Sequence, residues 1–234
     1  MADGAGNLLS LSAEGFVLAG GQSSRMGADK ALVSFAGRPM IETALDILRA
    51  AGLPARIAGS RSPLGRFAPE VPDTFANAGP LGGVHAGLAA SEAEFCLFLP
   101  VDLPLMPPAL LACLVNRARL TGAPVTSASV NGRAEPFPVV LTRSTVSAIQ
   151  ILLESGHPGS SPGCQRAWRE IASALGSSAD RIAVEHLLSS GHLRQSLAIP
   201  PHWWFQSANT PADLTRLNLL RSRFSAKRSA NRLS

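Results

Sequence analysis

A glycine-rich stretch near the start of the chain carries residue types that could hold a phosphate group. It follows a short apolar run and reads Leu18-Ala19-Gly20-Gly21-Gln22-Ser23-Ser24-Arg25-Met26-Gly27-Ala28-Asp29-Lys30. Glycines let backbone N–H groups come close to an anion, and such groups at a strand-to-helix turn form a ready phosphate site. Arg25 and Lys30 add positive charge that suits a triphosphate, and Ser23 adds a hydroxyl donor. The stretch predicts a phosphate-binding loop.

Composition and spacing both single out Lys30. The chain has 21 lysine and arginine residues, of which only Lys30 and Lys227 are lysine. Two familiar phosphate loops do not fit, because the stretch contains no Gly-x-Gly-x-x-Gly and because Lys30 follows Asp29 rather than the glycine of Gly-x-x-x-x-Gly-Lys-Ser/Thr. The alternative interpretation of the stretch is a glycine-rich surface turn with two solvated basic residues.

A carboxylate after the clearest buried strand is the second candidate. The apolar run from Phe95 ends at Asp102 and the turn Leu103-Pro104. Ligands of open parallel sheets bind at the carboxyl ends of the strands, and Mg²⁺ prefers one or two carboxylates together with phosphate oxygens. We expect Asp102 to hold a metal ion between protein and nucleotide. The alternative is an aspartate that only shapes a turn.

A second glycine-rich turn follows a strand end at Val71-Pro72-Asp73. The residues from Gly79 to Val84, which include Gly82, lead into an alanine-rich run that ends at Ala90. Glycines before a helix permit close approach of a ligand to the backbone, and tight packing of the helix explains them equally well.

The pattern at 18 to 30 resembles the signature of molybdenum cofactor guanylyltransferases, which belong to the nucleotidyltransferase superfamily. The resemblance implies an α/β fold, a single Rossmann-like three-layer nucleotidyltransferase domain with a mostly parallel sheet. It also implies Mg²⁺-dependent transfer of GMP from GTP to the terminal phosphate of molybdenum-molybdopterin, with release of pyrophosphate. The catalytic residues would be Arg25, Lys30 and Asp102. The nucleotide-binding residues would be Leu18, Ala19, Gly20, Gly21, Ser23, Lys30, Asp73, Gly82 and Asp102.

A motif near the end of the chain extends this resemblance. The segment Ser207-Ala208-Asn209-Thr210-Pro211-Ala212-Asp213-Leu214 resembles the family's Asn-x-Asn-Thr-Pro-Glu-Asp-Leu, with Ser207 in place of the first Asn. The second Asn lies near the metal in the family, so the metal ligands here would be Asp102 and Asn209. The motif also has a local explanation, because Thr210 can cap a helix that begins at Pro211, with Asp213 completing a capping box.

The choice of base rests on one glycine. Relatives that transfer cytidylyl to the same cofactor, and many sugar nucleotidyltransferases, have Leu-Ala-Ala-Gly at this loop. Gly20 leaves room near the base that a methyl group would fill, which favours guanine. The position that matches a base-contacting Asn of the family is Ala58 here. A molybdopterin cytidylyltransferase, a sugar-phosphate nucleotidyltransferase and a non-catalytic homologue stay open as alternatives.

Strands and helices alternate along the chain, which predicts a mostly parallel sheet covered on both faces. We expect strands at 15–18, 55–58, 95–102, 124–130 and 137–142, a strand end at 71–73, and helices at 39–51, 107–120 and 145–154. The residues from Gly79 to Val84 are expected as a glycine loop, and the alanine-rich run that follows them, up to Ala90, as a helix. Residues 156–163 read as a loop and 164–201 as two helices and a turn. The region 154–202 departs from the family, so substrate contacts are not transferred through it. Trp168, Trp203 and Trp204 are expected in the core rather than stacked on a pterin.

Composition suits a compact globular enzyme, with 46% hydrophobic and 16% charged residues. We expect a flexible N-terminus at 1–14, a nucleotidyltransferase domain at 15–220 with an enlarged helical region at 156–202, and a frayed basic tail at 221–234. Five of the 21 basic residues lie in that tail, which leaves 16 against 16 acidic ones. Contact of the tail with nucleic acid or an acidic partner is the alternative, and no nucleic-acid partner is expected.

Location and partners complete the expectations. The chain has no apolar run long enough to span a membrane and no secretory signal, which predicts a cytoplasmic protein without a membrane partner. Cys96 and Cys113 read as reduced core residues. The expected cofactor is Mg²⁺, and the expected ligands are GTP and a molybdopterin-type substrate. A molybdoenzyme or its chaperone is a further candidate partner, and the chain is expected to be a monomer or weak oligomer.

Overall fold

The computed structural model describes residues 13–20, 29–59, 63–75, 77–156, 161–193 and 199–230. The strands are β1 (Ala13–Leu18), β2 (Ser34–Phe35), β3 (Arg38–Pro39), β4 (Ala55–Ala58), β5 (Glu70–Val71), β6 (Phe95–Pro100), β7 (Val125–Val130), β8 (Arg133–Thr142) and β9 (Asp180–Ala183). The α-helices are α1 (Met40–Ala50), α2 (Pro80–Ala90), α3 (Pro108–Thr121), α4 (Val146–Glu154), α5 (Ser161–Ala174), α6 (Val184–Ser189) and α7 (Pro211–Ala230). Short 3₁₀ turns lie at Lys30–Leu32, Arg143–Thr145 and Pro201–Trp203.

One seven-stranded sheet forms the centre of the fold, in the order β5-β4-β1-β6-β8-β7-β9. The pairs β5–β4, β4–β1, β1–β6 and β7–β9 are parallel, and β8 runs antiparallel to β6 and β7. The predicted mostly parallel sheet is therefore confirmed. β2 and β3 form a separate two-stranded antiparallel sheet.

Apolar side chains cover both faces of the sheet. Successive side chains of a strand point to opposite faces, so Leu97 and Leu99 of β6 join one core cluster while Cys96 and Phe98 join the other. The first cluster includes residues of α1, α3, α6 and α7, and the second includes residues of α2, α4 and α5. These layers give the three-layer α/β architecture that the resemblance implied.

Helix α2 packs unusually close to the sheet because of its glycines. A Cβ atom added to Gly87 would lie 2.7 Å from Cε1 of Phe98 and 3.1 Å from the ring of Phe16. Phe16 and Phe98 are themselves stacked, with ring centroids 5.3 Å apart. Helix packing thus explains one glycine of this helix without any ligand.

The region after α4 differs from the expectation in two places. Residues 161–163, predicted as loop, form the first turn of α5, where a proline at position 162 is tolerated because first-turn N–H groups lack helical partners. Asp180–Ala183, predicted as helix, is the edge strand β9. β9 pairs in parallel with β7, and a bidentate ion pair from Arg117 to Asp180, at 2.7 and 3.1 Å, ties β9 to α3.

The ends of the domain also differ from the expectation. β1 begins at Ala13, two residues before the predicted boundary, and Glu14 accepts a hydrogen bond from Ser91 at 2.7 Å. The predicted frayed tail is wrong for 221–230, which continue helix α7.

The cysteines and tryptophans follow the expectation with two exceptions. Cys96 is buried and all three cysteines are free, whereas Cys113 is only partly buried. Trp168 and Trp204 are buried, but Trp203 is partly exposed and lies under the guanidinium of Arg216 at 4.4 Å from the ring centroid. Among the described residues, no helix has the length and apolarity needed to span a membrane.

Candidate active site

The carboxyl ends of three parallel strands meet at one edge of the sheet. Leu18, the last residue of β1, is in register with Ala58 of β4 and with Pro100 of β6. The backbone N–H of Ala19 donates to the oxygen of Ala58 at 3.1 Å, and Val101 donates to the oxygen of Leu18 at the same distance. Within the seven-stranded sheet, the next strand along the chain after β1 is β4, which lies on one side of β1, while β6 lies on the other side. Ligands of open α/β sheets bind at such a reversal of strand order.

Three of the predicted site residues meet at this edge. The ammonium of Lys30 donates to Asp102 Oδ2 at 2.9 Å and to Asn209 Oδ1 at 2.6 Å. The side chains of Lys30 and Asp102 are 22% and 17% exposed, so the ion pair is partly shielded from water. Residues separated by 72 and 179 positions thus form one cluster, the Lys30–Asp102–Asn209 cluster.

Local structure holds the backbone of each member in place. The carboxylate of Asp29 accepts a hydrogen bond from the N–H of Ala31 at 2.9 Å and caps the 3₁₀ turn that carries Lys30. Ala31 is fully buried, which anchors that turn in the core. The backbone oxygen of Asp102 accepts from the N–H of Ala208 at 2.9 Å, so the segment before α7 is bound directly to the end of β6.

A capping box at the start of α7 holds Asn209. The N–H of Asp213 donates to Thr210 Oγ1 at 3.1 Å, and Asp213 Oδ2 accepts from the N–H of Thr210 at 2.9 Å and from its hydroxyl at 2.8 Å. The same oxygen accepts from the N–H of Asn209 at 3.2 Å. These hydrogen bonds lower the pKa of Asp213 below its ordinary value, and the bond from the Thr210 hydroxyl has the largest effect. The predicted cap is confirmed, and it fixes the backbone that presents Asn209.

Glycines let three neighbouring segments approach beside the cluster. We call Gly20, Gly59, Gly82 and Gly83 the glycine seam. A Cβ on Gly20 would lie 2.1 Å from the oxygen of Gly59, and a Cβ on Gly59 would lie 3.2 Å from Cα of Gly83. The expected open room at Gly20 is therefore wrong, because the backbone oxygen of Gly59 fills it.

Asp73 lies against the glycine seam. Its Oδ2 is 3.4 Å from the Cβ position of Gly59, and its Oδ1 is 3.1 Å from the Cβ position of Gly82. Gly59 has a φ of +69°, a conformation that favours glycine. The structure thus brings Gly20, Gly82 and Asp73 together, next to the strand end that carries Leu18 and Ala19. Gly21, Ser23 and Arg25, also predicted for this site, lie outside the described residues.

The oxygen atoms of the cluster fit a hard cation such as Mg²⁺. A carboxylate oxygen and an amide oxygen both contact one ammonium group, so they already converge on a positive charge. Carboxylates and amide carbonyls are ligands that Mg²⁺ accepts, with the remaining positions filled by water and phosphate oxygens. Within the described residues, no group of three or more His, Cys, Asp or Glu side chains could hold a metal.

Two further titratable residues near the site were missed by the sequence reasoning. His85, on α2 directly after Gly83 and Val84, is 7% exposed and packs edge-on against Phe75 with centroids 5.0 Å apart. Its Nδ1 lies 3.3 Å from Thr74 Oγ1, and burial lowers its pKa, against a smaller opposing effect of Glu154. The feature of the sequence that could have identified His85 is its position about one turn after the glycine-rich start of α2.

The other is Glu135, at the start of β8. Because β8 runs antiparallel to β6, its first residues lie at the edge where β6 ends. Burial raises the pKa of Glu135, while Arg133 acts in the opposite direction. The only feature of the sequence that could have identified Glu135 is its position just before the apolar run that begins at Phe137.

Comparisons with known proteins identify a family and relatives of this chain. The family model described as MobA-like NTP transferase domain matches residues 15–184. A molybdenum cofactor guanylyltransferase from Xanthomonas euvesicatoria is 44% identical over 103 residues, which cover 43% of this chain and 52% of that protein. One from Shewanella halifaxensis is 32% identical over 146 residues, which cover 60% of this chain and 72% of that protein.

A solved structure extends the likeness of fold. The molybdopterin-guanine dinucleotide biosynthesis protein A from Archaeoglobus fulgidus aligns with a TM-score of 0.70 and 21% identity, covering 90% of this chain and 99% of that one. The chain spans about half the length of the first curated relatives it matches.

Proposed function

The chain belongs to the family of MobA-like NTP transferase domains, and we propose that it transfers GMP from GTP to the terminal phosphate of molybdenum-molybdopterin. The observation that carries this proposal is the convergence of Lys30, Asp102 and Asn209 at the strand edge beside the glycine seam. That edge offers a cation for phosphates, oxygen ligands for a metal and close backbone for a nucleotide. The relatives named molybdenum cofactor guanylyltransferase support the choice of reaction.

The reaction needs no nucleophile from the protein. The acceptor phosphate oxygen is anionic at neutral pH and attacks the α-phosphorus of GTP in line. A new oxygen–phosphorus bond forms, the bond to the bridging oxygen breaks, and pyrophosphate leaves with the bonding electron pair. Catalysis then consists of positioning the two phosphates and neutralising their charge.

Each charged or polar residue has a part in that positioning. Lys30, with Arg25 from the phosphate loop, holds the phosphate oxygens as negative charge moves to the leaving group. Asp102 and Asn209 would hold Mg²⁺, and the bound ion would supply positive charge against the phosphates. Removing one such preorganised group costs on the order of 10²- to 10³-fold in rate.

The glycine seam and its neighbours form the proposed nucleotide site. The residues that would approach the nucleotide mainly through their backbone are Leu18, Ala19, Gly20, Gly21, Ser23 and Gly82. A guanine edge presents N–H donors, and the Asp73 carboxylate beside Gly59 and Gly82 is an acceptor for them. Gly20 acts here by letting Gly59 come close rather than by leaving empty space for the base.

Calorimetric titration with GTP, CTP, ATP and UTP in the presence of Mg²⁺ tests the proposal. We expect a GTP-selective signal that Lys30→Ala weakens strongly. Arg49→Ala, which removes an exposed charge from α1, is the matched control and should bind GTP like the wild type. Selectivity for CTP would assign the chain to a sister transferase family, and no nucleotide binding would overturn the proposed function.

A further inference from the structure

The two oxygens proposed to hold a metal are already bridged by a side chain of the protein. Lys30 Nζ donates to both Asp102 Oδ2, at 2.9 Å, and Asn209 Oδ1, at 2.6 Å. Hydrogen bonds from an ammonium to a carboxylate are among the stronger ones in proteins. The oxygen pair is therefore occupied by a cation that belongs to the chain itself.

We propose that Lys30 competes with a divalent metal for this oxygen pair and releases it only when a triphosphate draws the ammonium away. Metal and nucleotide then bind together, and the metal alone binds weakly. The inference rests on the proposed function, and it adds an order of events that the roles of the single residues do not contain.

The positive charge of Lys30 disfavours binding of a divalent ion at the oxygen pair in the absence of a nucleotide. Within the ion pairs of the described residues, Lys30 is the partner of Asp102, and the pair is neutral. A divalent ion entering beside the ammonium would meet a nearby positive charge at a site that is only 17–22% exposed, where water screens little. The phosphates of a nucleotide supply the negative charge that lets both cations stay.

The fold allows the side chain of Lys30 to move while its backbone stays in place. The 3₁₀ turn is capped by Asp29 and anchored by the fully buried Ala31. A lysine side chain has a flexible four-carbon stem and three rotatable donors, so it can exchange carboxylate and amide partners for phosphate oxygens. The exchange therefore consists of a rotation of the Lys30 side chain.

Binding of Mn²⁺, followed by electron paramagnetic resonance, tests the competition without any turnover. The proteins are the full chain as wild type, as Lys30→Met and as Lys30→Gln, which remove the charge in two ways. Arg49→Met removes a charge from the exposed face of α1 and is the matched control. Each is titrated with Mn²⁺ alone and then with a GTP analogue that has a methylene group between the α- and β-phosphorus atoms.

We expect both Lys30 variants to bind Mn²⁺ alone about tenfold more tightly than the wild type, a change that corresponds to only ~1.4 kcal/mol. The analogue should tighten Mn²⁺ binding strongly in the wild type and much less in the variants, because the lysine–phosphate contact is lost. Adding Asp102→Asn to Lys30→Met should abolish the tight binding of Mn²⁺.

Two results would overturn the exchange. One is equal Mn²⁺ affinity of the wild type and both folded Lys30 variants without nucleotide. The other is tight Mn²⁺ binding by Lys30→Met that survives Asp102→Asn, which would place the ion elsewhere. If either occurs while wild-type protein still binds GTP selectively, only the exchange fails. If GTP binding is also missing, the proposed function fails with it.

Discussion

Replacing Gly20 by alanine is the sharpest test of how the glycine seam is built. A Cβ at Gly20 would lie 2.1 Å from the backbone oxygen of Gly59, whereas ordinary contacts of a Cβ begin at 3.4 Å. The two segments would therefore have to separate by roughly an ångström. Gly59 has little freedom to yield, because its φ is +69°, its N–H donates to Val71 at 3.3 Å and its Cβ position is 3.2 Å from Gly83.

We expect Gly20→Ala to lower the free energy of unfolding by about 1–3 kcal/mol, the usual cost of overpacking. For a chain of this size each kcal/mol corresponds to roughly 2–4 °C in Tm. Thermal and urea unfolding followed by circular dichroism measure the loss. GTP binding should weaken as well, because the displaced segments are those proposed to contact the nucleotide.

Gly65→Ala is the matched control for this substitution. Its added Cβ would meet only the carboxyl group of Glu70, with Oε2 at 3.8 Å and Cδ at 4.0 Å, which are ordinary contacts. We expect this variant to be unchanged or stabilised by about 0.4–1 kcal/mol, since alanine restricts the unfolded chain. Equal stability of Gly20→Ala and Gly65→Ala would refute the close approach of Gly20 and Gly59.

Three further substitutions test the elements around the site. Asp213→Ala should cost about 1 kcal/mol of stability at pH 7 through the lost cap. Hydrogen bonds lower the pKa of Asp213, so the stability advantage of the wild type over this variant should disappear as the pH falls below the ordinary pKa of 3.8 and through the lowered value. His85, whose pKa burial lowers from 6.5, should make the wild type lose stability as the pH falls below 6.5, by up to ~1.4 kcal/mol per pH unit, whereas His85→Gln should lack this slope. Trp204→Phe should cost about 1–3 kcal/mol, because the oxygen of Ile199 loses the indole donor that lies 2.8 Å away.

The measurements for these variants are urea unfolding curves collected between pH 2 and pH 8. Glu92→Ala, a substitution of an exposed acid between α2 and β6, should leave stability unchanged and serves as the control for Asp213→Ala. If His85→Gln shows the same loss of stability below pH 6.5 as the wild type, another group is responsible for it. If Asp213→Ala unfolds at the same urea concentration as Glu92→Ala, the cap does not stabilise α7.

The sequence predicted the central elements because their signals are local. The apolar run of β6, the helical spacing in α1 and the cap at Thr210 each depend on a few neighbouring residues, and the structure has all three. Elements that depend on distant partners were predicted less well. Strand β9 stays extended because it pairs with β7, with Ala128 opposite Ile182, and no local pattern announces that pairing.

The same division holds within the site. Lys30, Asp102 and Asn209 were named from motifs, and the strand order explains why they meet. That Lys30 itself bridges the other two could not be predicted, because a motif does not give distances. The role of Gly20 was misjudged for a similar reason, since its neighbour Gly59 comes from a different loop.

Transfer of an α-labelled guanylyl group from GTP to molybdenum-molybdopterin, measured for the wild type and for Asp102→Asn, tests the proposed function most directly. The wild type should form a labelled dinucleotide and release pyrophosphate in a Mg²⁺-dependent reaction. Asp102→Asn should remain folded by circular dichroism and be slower by about 10²-fold or more. Wild-type rates from Asp102→Asn, or no transfer from GTP by the wild type, would contradict the assignment of the Lys30–Asp102–Asn209 cluster as the centre of the reaction.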